Sequence, residues 1–201
     1  MLDLALVLAL SEACAPSVAP QTLAAIAHVE SRFDPLAIGV NGGPRPPRRP
    51  RSASEAARRA RTLIARGADI DLGLAQINSA NLDWLGLSVE EAFDPCRNLA
   101  AAARVLQGGY RPLADTAQAR QAALRIALSR YNTGDPRRGF RNGYVARVER
   151  AAAALSLTIP AAPVAAPAEA PADAPPPWDV FARPPHGVLV FSNPTDVWSH
   201  P

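Results

Sequence analysis

Pro20-Gln21-Thr22-Leu23-Ala24-Ala25-Ile26-Ala27-His28-Val29-Glu30-Ser31 is the stretch on which the fold turns. Proline suits the first turn of a helix, where its missing N–H would have had no partner. Leu23, Ile26 and Ala27 then recur at helical spacing, and at about 100° per residue Glu30 falls on the same stripe. A carboxylate on an apolar face is costly unless it is paired, hydrogen-bonded or protonated. Two readings follow. Glu30 caps the rim of the stripe or pairs with Arg32 or another arginine; or it is a desolvated acid that holds its proton near neutral pH and can deliver it to a leaving group.

Outward from this helix the pattern stays helical. Residues 2–12 read as a first apolar helix of the domain. Ser52 with Glu55 is a capping-box pair opening a helix that Gly67 closes. Ser88 with Glu91 repeats the pair in a short segment. Asp94-Pro95 opens a helix toward Leu106, with Gly108-Gly109 as its stop, and residues 116–130 and 143–155 complete the set. Only 36–43 and 67–78 look irregular or weakly extended. The expectation is a mostly helical α+β domain.

The 201 residues include 21 prolines, and 11 of these fall in 160–201, which divides the chain. From Pro160 to Pro177 there is little but Ala, Pro and two acids, too few large apolar groups to offset the entropy of ordering. Residues 1–159 are therefore expected to be the folded domain and 160–201 a Pro/Ala-rich flexible tail. Beyond the spacer, Trp178, Val180, Phe181 and Val188–Phe191 restore apolar character. Segment 178–192 is either unstructured tail with incidental hydrophobes or a partner-docking peptide, adding a strand through 187–192.

The net charge is +3, every basic side chain is arginine, and aromatic residues make up 5%. Pro44-Arg45-Pro46-Pro47-Arg48-Arg49-Pro50-Arg51, with Arg58, Arg59, Arg61 and Arg66, forms a local basic cluster. It reads as a solvated loop and helix face, or as an attraction for an anionic polymer. No aromatic is interleaved to stack on bases, so no nucleic-acid partner is expected. With no uninterrupted apolar run of about 18 residues, no membrane span is expected. His28, His186 and His200 show no ligand spacing, so no metal and no cofactor are expected.

Four short segments carry a resemblance. Glu30-Ser31-Arg32-Phe33-Asp34-Pro35-Leu36-Ala37, Gly73-Leu74-Ala75-Gln76-Ile77-Asn78, Tyr131-Asn132-Thr133-Gly134 and Tyr144-Val145-Ala146-Arg147-Val148 follow one another as the motifs of lytic transglycosylases with a lysozyme-like domain do. Cys14-Ala15-Pro16-Ser17-Val18, Ala37-Ile38-Gly39-Val40-Asn41 and Phe93-Asp94-Pro95-Cys96-Arg97-Asn98-Leu99 resemble the type IV secretion and conjugation branch, the VirB-type component. Trp178-Asp179-Val180-Phe181 is similar to that branch as well. Ala75 replaces the family's usual Met, and Asn78 its usual Pro.

The resemblance implies a lysozyme-like fold and peptidoglycan as substrate. It implies cleavage of the β-1,4 bond between N-acetylmuramic acid and N-acetylglucosamine, leaving 1,6-anhydro ends, with Glu30 as catalytic acid and then base. By position, Ser31 orients the carboxyl group or the substrate acetamido group, and Gly73 allows close backbone approach. Gln76 and Asn78 line the cleft, Tyr131 and Asn132 stand across it, and Tyr144 bonds Glu30. For the two tyrosines core packing is an equal reading, and Asn132 also reads as a turn residue. Two further cysteines common in the branch are Gly109 and Arg130 here, which leaves Cys14 and Cys96 as the candidate disulfide, with two reduced thiols as the alternative.

A periplasmic location follows from that substrate, although Met1-Leu2-Asp3 has no positive leader segment and the export route is then missing or unconventional. Type IV secretion components are expected partners through the tail. Two other functions stay open: a hydrolytic muramidase using Asp34, Asp69 or Asp71 as second carboxylate, and a non-catalytic glycan-binding assembly factor.

Overall fold

A computed structural model describes residues 1–43 and 48–158, with side chains through 155. The tail 160–201, its segment 178–192 and the centre of the Pro-rich arginine stretch lie outside the described residues. Among the described residues eight α-helices run in the order α1 Leu4–Cys14, α2 Pro20–Ser31, α3 Ala53–Ala65, α4 Leu82–Leu85, α5 Pro95–Gly109, α6 Ala117–Thr133, α7 Arg138–Arg141 and α8 Tyr144–Thr158. Three short strands, β1 Ile38–Val40, β2 Ile70–Leu72 and β3 Ile77–Asn78, form an antiparallel sheet in the order β1-β2-β3. These strands occupy the two stretches expected to be irregular or weakly extended, and the α+β class stands.

The local signals act as their chemistry dictates. The Ser52 hydroxyl accepts from the Glu55 amide at 3.2 Å while Glu55 accepts from the Arg51 amide at 2.9 Å. Asp94 accepts from the Arg97 amide at 2.8 Å, with Pro95 in the first turn. Helix α6 runs on through Thr133, past the expected end at 130, because Gly134 at φ 70° supplies the left-handed cap. Tyr131 and Asn132 are therefore helical, and Asn132 is not a turn residue. Helix α5 likewise continues to Gly109, which lets α6 approach: a Cβ there would stand 3.2 Å from the Ala127 Cα.

Helix α2 is central. Leu23 to Ala27 are fully buried, under α1, α8 and part of α5. Burying one such aliphatic side chain contributes about 1.5–3 kcal/mol, so a helix sunk on several sides needs no strong cap. Indeed Ala19 offers none. Cys14 and Cys96 are disulfide-bonded and join the end of α1 to the start of α5. Asn98, fully buried one turn into α5, donates to Leu72 O and Ala92 O at 2.9 and 2.8 Å and accepts from the Ala75 amide at 2.7 Å. That one carboxamide ties the helical layer to the sheet. Among the described residues no helix is long and apolar enough to cross a membrane.

Candidate active site

The end of α2 is strained. Arg32 (φ 55°) and Phe33 (φ 65°) both adopt left-handed backbone, a conformation costing roughly 1–2 kcal/mol for a residue with a Cβ. The Arg32 amide returns to His28 O at 3.1 Å and that of Phe33 to Ala27 O at 3.4 Å. Phe33 is buried, and its carbonyl accepts from the Leu2 amide at 2.8 Å. These contacts offset the strain, and they stop the helix immediately after Glu30 and Ser31.

Glu30 is half-buried and accepts a 2.6 Å hydrogen bond from the Tyr144 hydroxyl at the start of α8. Burial pushes its pKa from 4.5 up to about 7; the Tyr144 bond lowers it, Asp71 raises it and Arg147 lowers it, in decreasing order. The carboxyl group thus exchanges a proton near neutrality, as acid–base chemistry demands. Tyr144 is itself buried, and burial followed by the charge of Glu30 holds its phenol protonated, hence a permanent donor.

The second wall is a loop held from three helices. Ser31 Oγ lies 2.6 Å from Leu74 O, Tyr131 donates to Ala75 O at 2.7 Å, and Asn98 accepts from the Ala75 amide. Gly73, at φ 75°, has no room for a side chain: a Cβ would meet Ala92 O at 2.2 Å. Gln76 stands at φ 52°, its carboxamide donating to Gly73 O at 2.9 Å and to Ala37 O at 3.3 Å. The structure therefore brings Ser31 and Tyr131 onto the loop backbone, not onto Glu30. Asn78 donates to Asp69 and Asp71 at 2.6 and 2.9 Å, fixing the acids beside the cleft. Asn132 is exposed and accepts from Asn142 at 2.9 Å across the gap before α8.

Two cavities meet at Glu30 and Gln76. One, about 540 Å³, is lined by Arg32, Asp34, Leu36, Ala37, Arg48 and Arg49 among others. The other, about 570 Å³, includes Asn41, Asp69, Asp71, Asn78, Trp84, Arg130, Tyr131 and Asn132. The carboxyl group thus stands between two polar cavities, an arrangement suited to an extended ligand. Of the acids weighed as a second carboxylate, Asp34 is held by Arg49 at 2.5 Å, while Asp71 faces the second cavity, its pKa raised mainly by burial. Among the described residues no cluster of His, Cys, Asp and Glu is arranged to hold a metal ion. Sequence reasoning did not single out Asn98 as a support, nor Trp84 or Asn142. The box-like Asp94-Pro95 start could have flagged Asn98, whereas Trp84 and Asn142 carry no local signal.

The sequence compared with known proteins agrees with this arrangement. The Transglycosylase SLT domain family matches residues 8–153. Protein virB1 of Agrobacterium fabrum is 47% identical over 150 residues, covering 75% of this chain and 60% of that protein. The type IV secretion system protein virB1 of Brucella suis biovar 1 is 43% identical over 154 residues, covering 75% of this chain and 64% of its own length. The chain thus spans 60–64% of the length of these curated relatives. No solved structure matches it. Glu30, the loop it faces and the tyrosine that holds it all lie within the matched residues, and on that match the chain belongs to the transglycosylase SLT domain family.

Proposed function

We propose that the protein is a peptidoglycan lytic transglycosylase, and the observation that carries this is Glu30: one half-buried carboxyl, titrating near neutrality, at the junction of two cavities. Protonated, it donates to the oxygen between N-acetylmuramic acid and N-acetylglucosamine while the substrate's own acetamido group attacks the anomeric carbon. As a carboxylate it then takes the proton of the C6 hydroxyl, whose oxygen closes the 1,6-anhydro ring. One group acts as acid and base in turn, and the substrate supplies the nucleophile. Tyr144 steadies the carboxylate half of that cycle. Gln76, Asn78, Tyr131 and Asn132 line the second cavity, and Ser31 and Gly73 hold the loop that carries Gln76.

Residues 1–159 form the catalytic unit in this reading and 160–201 a tail that recruits partners. The relatives named for type IV secretion support local wall opening for such an apparatus, outside the cytoplasmic membrane. Mass spectrometry of muropeptides released from sacculi tests the proposal. Wild type yields anhydro ends and Glu30→Gln yields at least about 10³-fold less product, the order expected for removing an essential acid–base group. Digestion by Glu30→Gln at the wild-type rate would overturn Glu30 as the acid–base group, whereas binding of sacculi by a wild type that releases no product would leave a glycan-binding assembly factor. A second reading, hydrolysis, draws on Asp71, whose charge acts on Glu30; reducing ends would establish it.

A further inference from the structure

We infer that Trp84 is a saccharide-stacking platform in the second cavity, a subsite for a pyranose ring of the glycan strand. The inference rests on the transglycosylase reading and adds a named contact to it. In α4, Leu82 and Leu85 are buried and anchor the turn, while the Trp84 side of the same turn is left open at 50% exposure. Exposed apolar side chains scattered singly need no explanation. Trp84 differs from the others in where it lies. Of the large exposed hydrophobics among the described residues, it alone lines a cavity that contains Glu30. Two contacts also hold its ring in place. The indole N–H donates to Asn81 at 2.9 Å, and the Arg104 guanidinium lies over the ring at 5.6 Å from its centroid. Arg104 is fixed in turn by Leu85 O at 2.6 Å and Trp84 O at 3.2 Å.

A rigid aromatic surface binds at low entropic cost, because its side chain is ordered before the ligand arrives. Its ligand must be flat and apolar on the face and polar at the rim. A pyranose ring meets both needs: its C–H groups can stack on the indole, and Asn81 and Asn132 line the same cavity as polar partners for its hydroxyls and acetamido group. A peptide stem offers no such extended C–H face.

The full-length Glu30→Gln protein, which does not turn substrate over, is titrated with N-acetylglucosamine oligomers, reading tryptophan emission and heat. A change in emission is expected that disappears in Glu30→Gln with Trp84→Phe; since Trp178 and Trp198 remain in that protein, the comparison assigns the signal. On the active background, Trp84→Ala raises KM about 5- to 10-fold, the order for losing one aromatic stacking contact, and leaves kcat within about twofold. Trp84→Tyr restores most of the loss. Equal emission changes with and without Trp84, or a Trp84→Ala defect confined to kcat, overturns the inference while oligomers still bind and anhydro products still form. If no variant binds oligomers and wild type releases no anhydro ends, the transglycosylase reading fails and the subsite fails with it.

Discussion

The two walls that meet at Glu30 are built in opposite ways. The first is nearly continuous in sequence: most of residues 29–39, with 48–50 and Gln76, line it, and three arginines face Glu30 and Asp34. The second gathers residues from Glu30 in α2 to Arg138 in α7, and there Asp69 and Asp71 offset Arg130 and Arg138. A wall made from one segment inherits its shape from one helix end. A wall made from many depends on long-range hydrogen bonds, each of which can fail separately.

The sharpest break of that contrast is Gly73→Ala. The left-handed backbone and the clash with Ala92 O should cost about 3 kcal/mol or more in urea denaturation, because backbone must move to admit the methyl group. Stability unchanged by this substitution would mean that the second wall does not hang on its loop.

Next in size is the junction itself. Glu30 titrates near 7 when folded and near 4.5 when free, so the unfolded chain releases its proton first. The folded state is favoured below 4.5, loses stability as pH rises, and carries the whole penalty above 7. Glu30→Gln does not titrate there. Relative to wild type it should gain about 2–3 kcal/mol between pH 5 and pH 8, read by urea midpoints at both.

Smaller effects separate the walls electrostatically. Tyr144→Phe removes a bond that favours the carboxylate and should move the alkaline limb of the pH–activity profile up; Asp71→Asn removes a like charge and should move it down. Shifts of about half a unit to one unit are expected. Movement in the same direction would sink the assignment of Asp71's charge to Glu30. The smallest effect belongs to the first wall. Arg32→Ala should raise KM for anionic glycan about twofold at low salt, and the difference should vanish near 0.5 M, where screening is short-ranged.

The same contrast explains what the sequence could disclose. The stripe Leu23–Ile26–Ala27–Glu30, the capping pairs at Ser52 and Asp94 and the spacing of the helices are local, and periodicity exposes them. The odd carboxylate on an apolar face was legible for the same reason. The contacts of Ser31 and Tyr131 were not, because their hydroxyls meet backbone carbonyls 43 and 56 residues away. The strands showed only as two weakly extended stretches, because two or three residues cannot display an alternation that fixes their bounds and pairing. Trp84 escaped because α4 is a single turn whose role comes only from the cavity beside it.

The Cys14–Cys96 bond closes a loop with a sequence separation of 82, which in a chain-entropy account is worth about 4–5 kcal/mol. A domain of this size commands only about 5–15 kcal/mol in all. Thiols stay reduced in the cytosol and pair outside it. The helix that receives this staple also carries Asn98, the anchor of the Gln76 loop. Reducing that one bond is therefore expected to loosen the start of α5 and, through Asn98, the loop that carries Gln76.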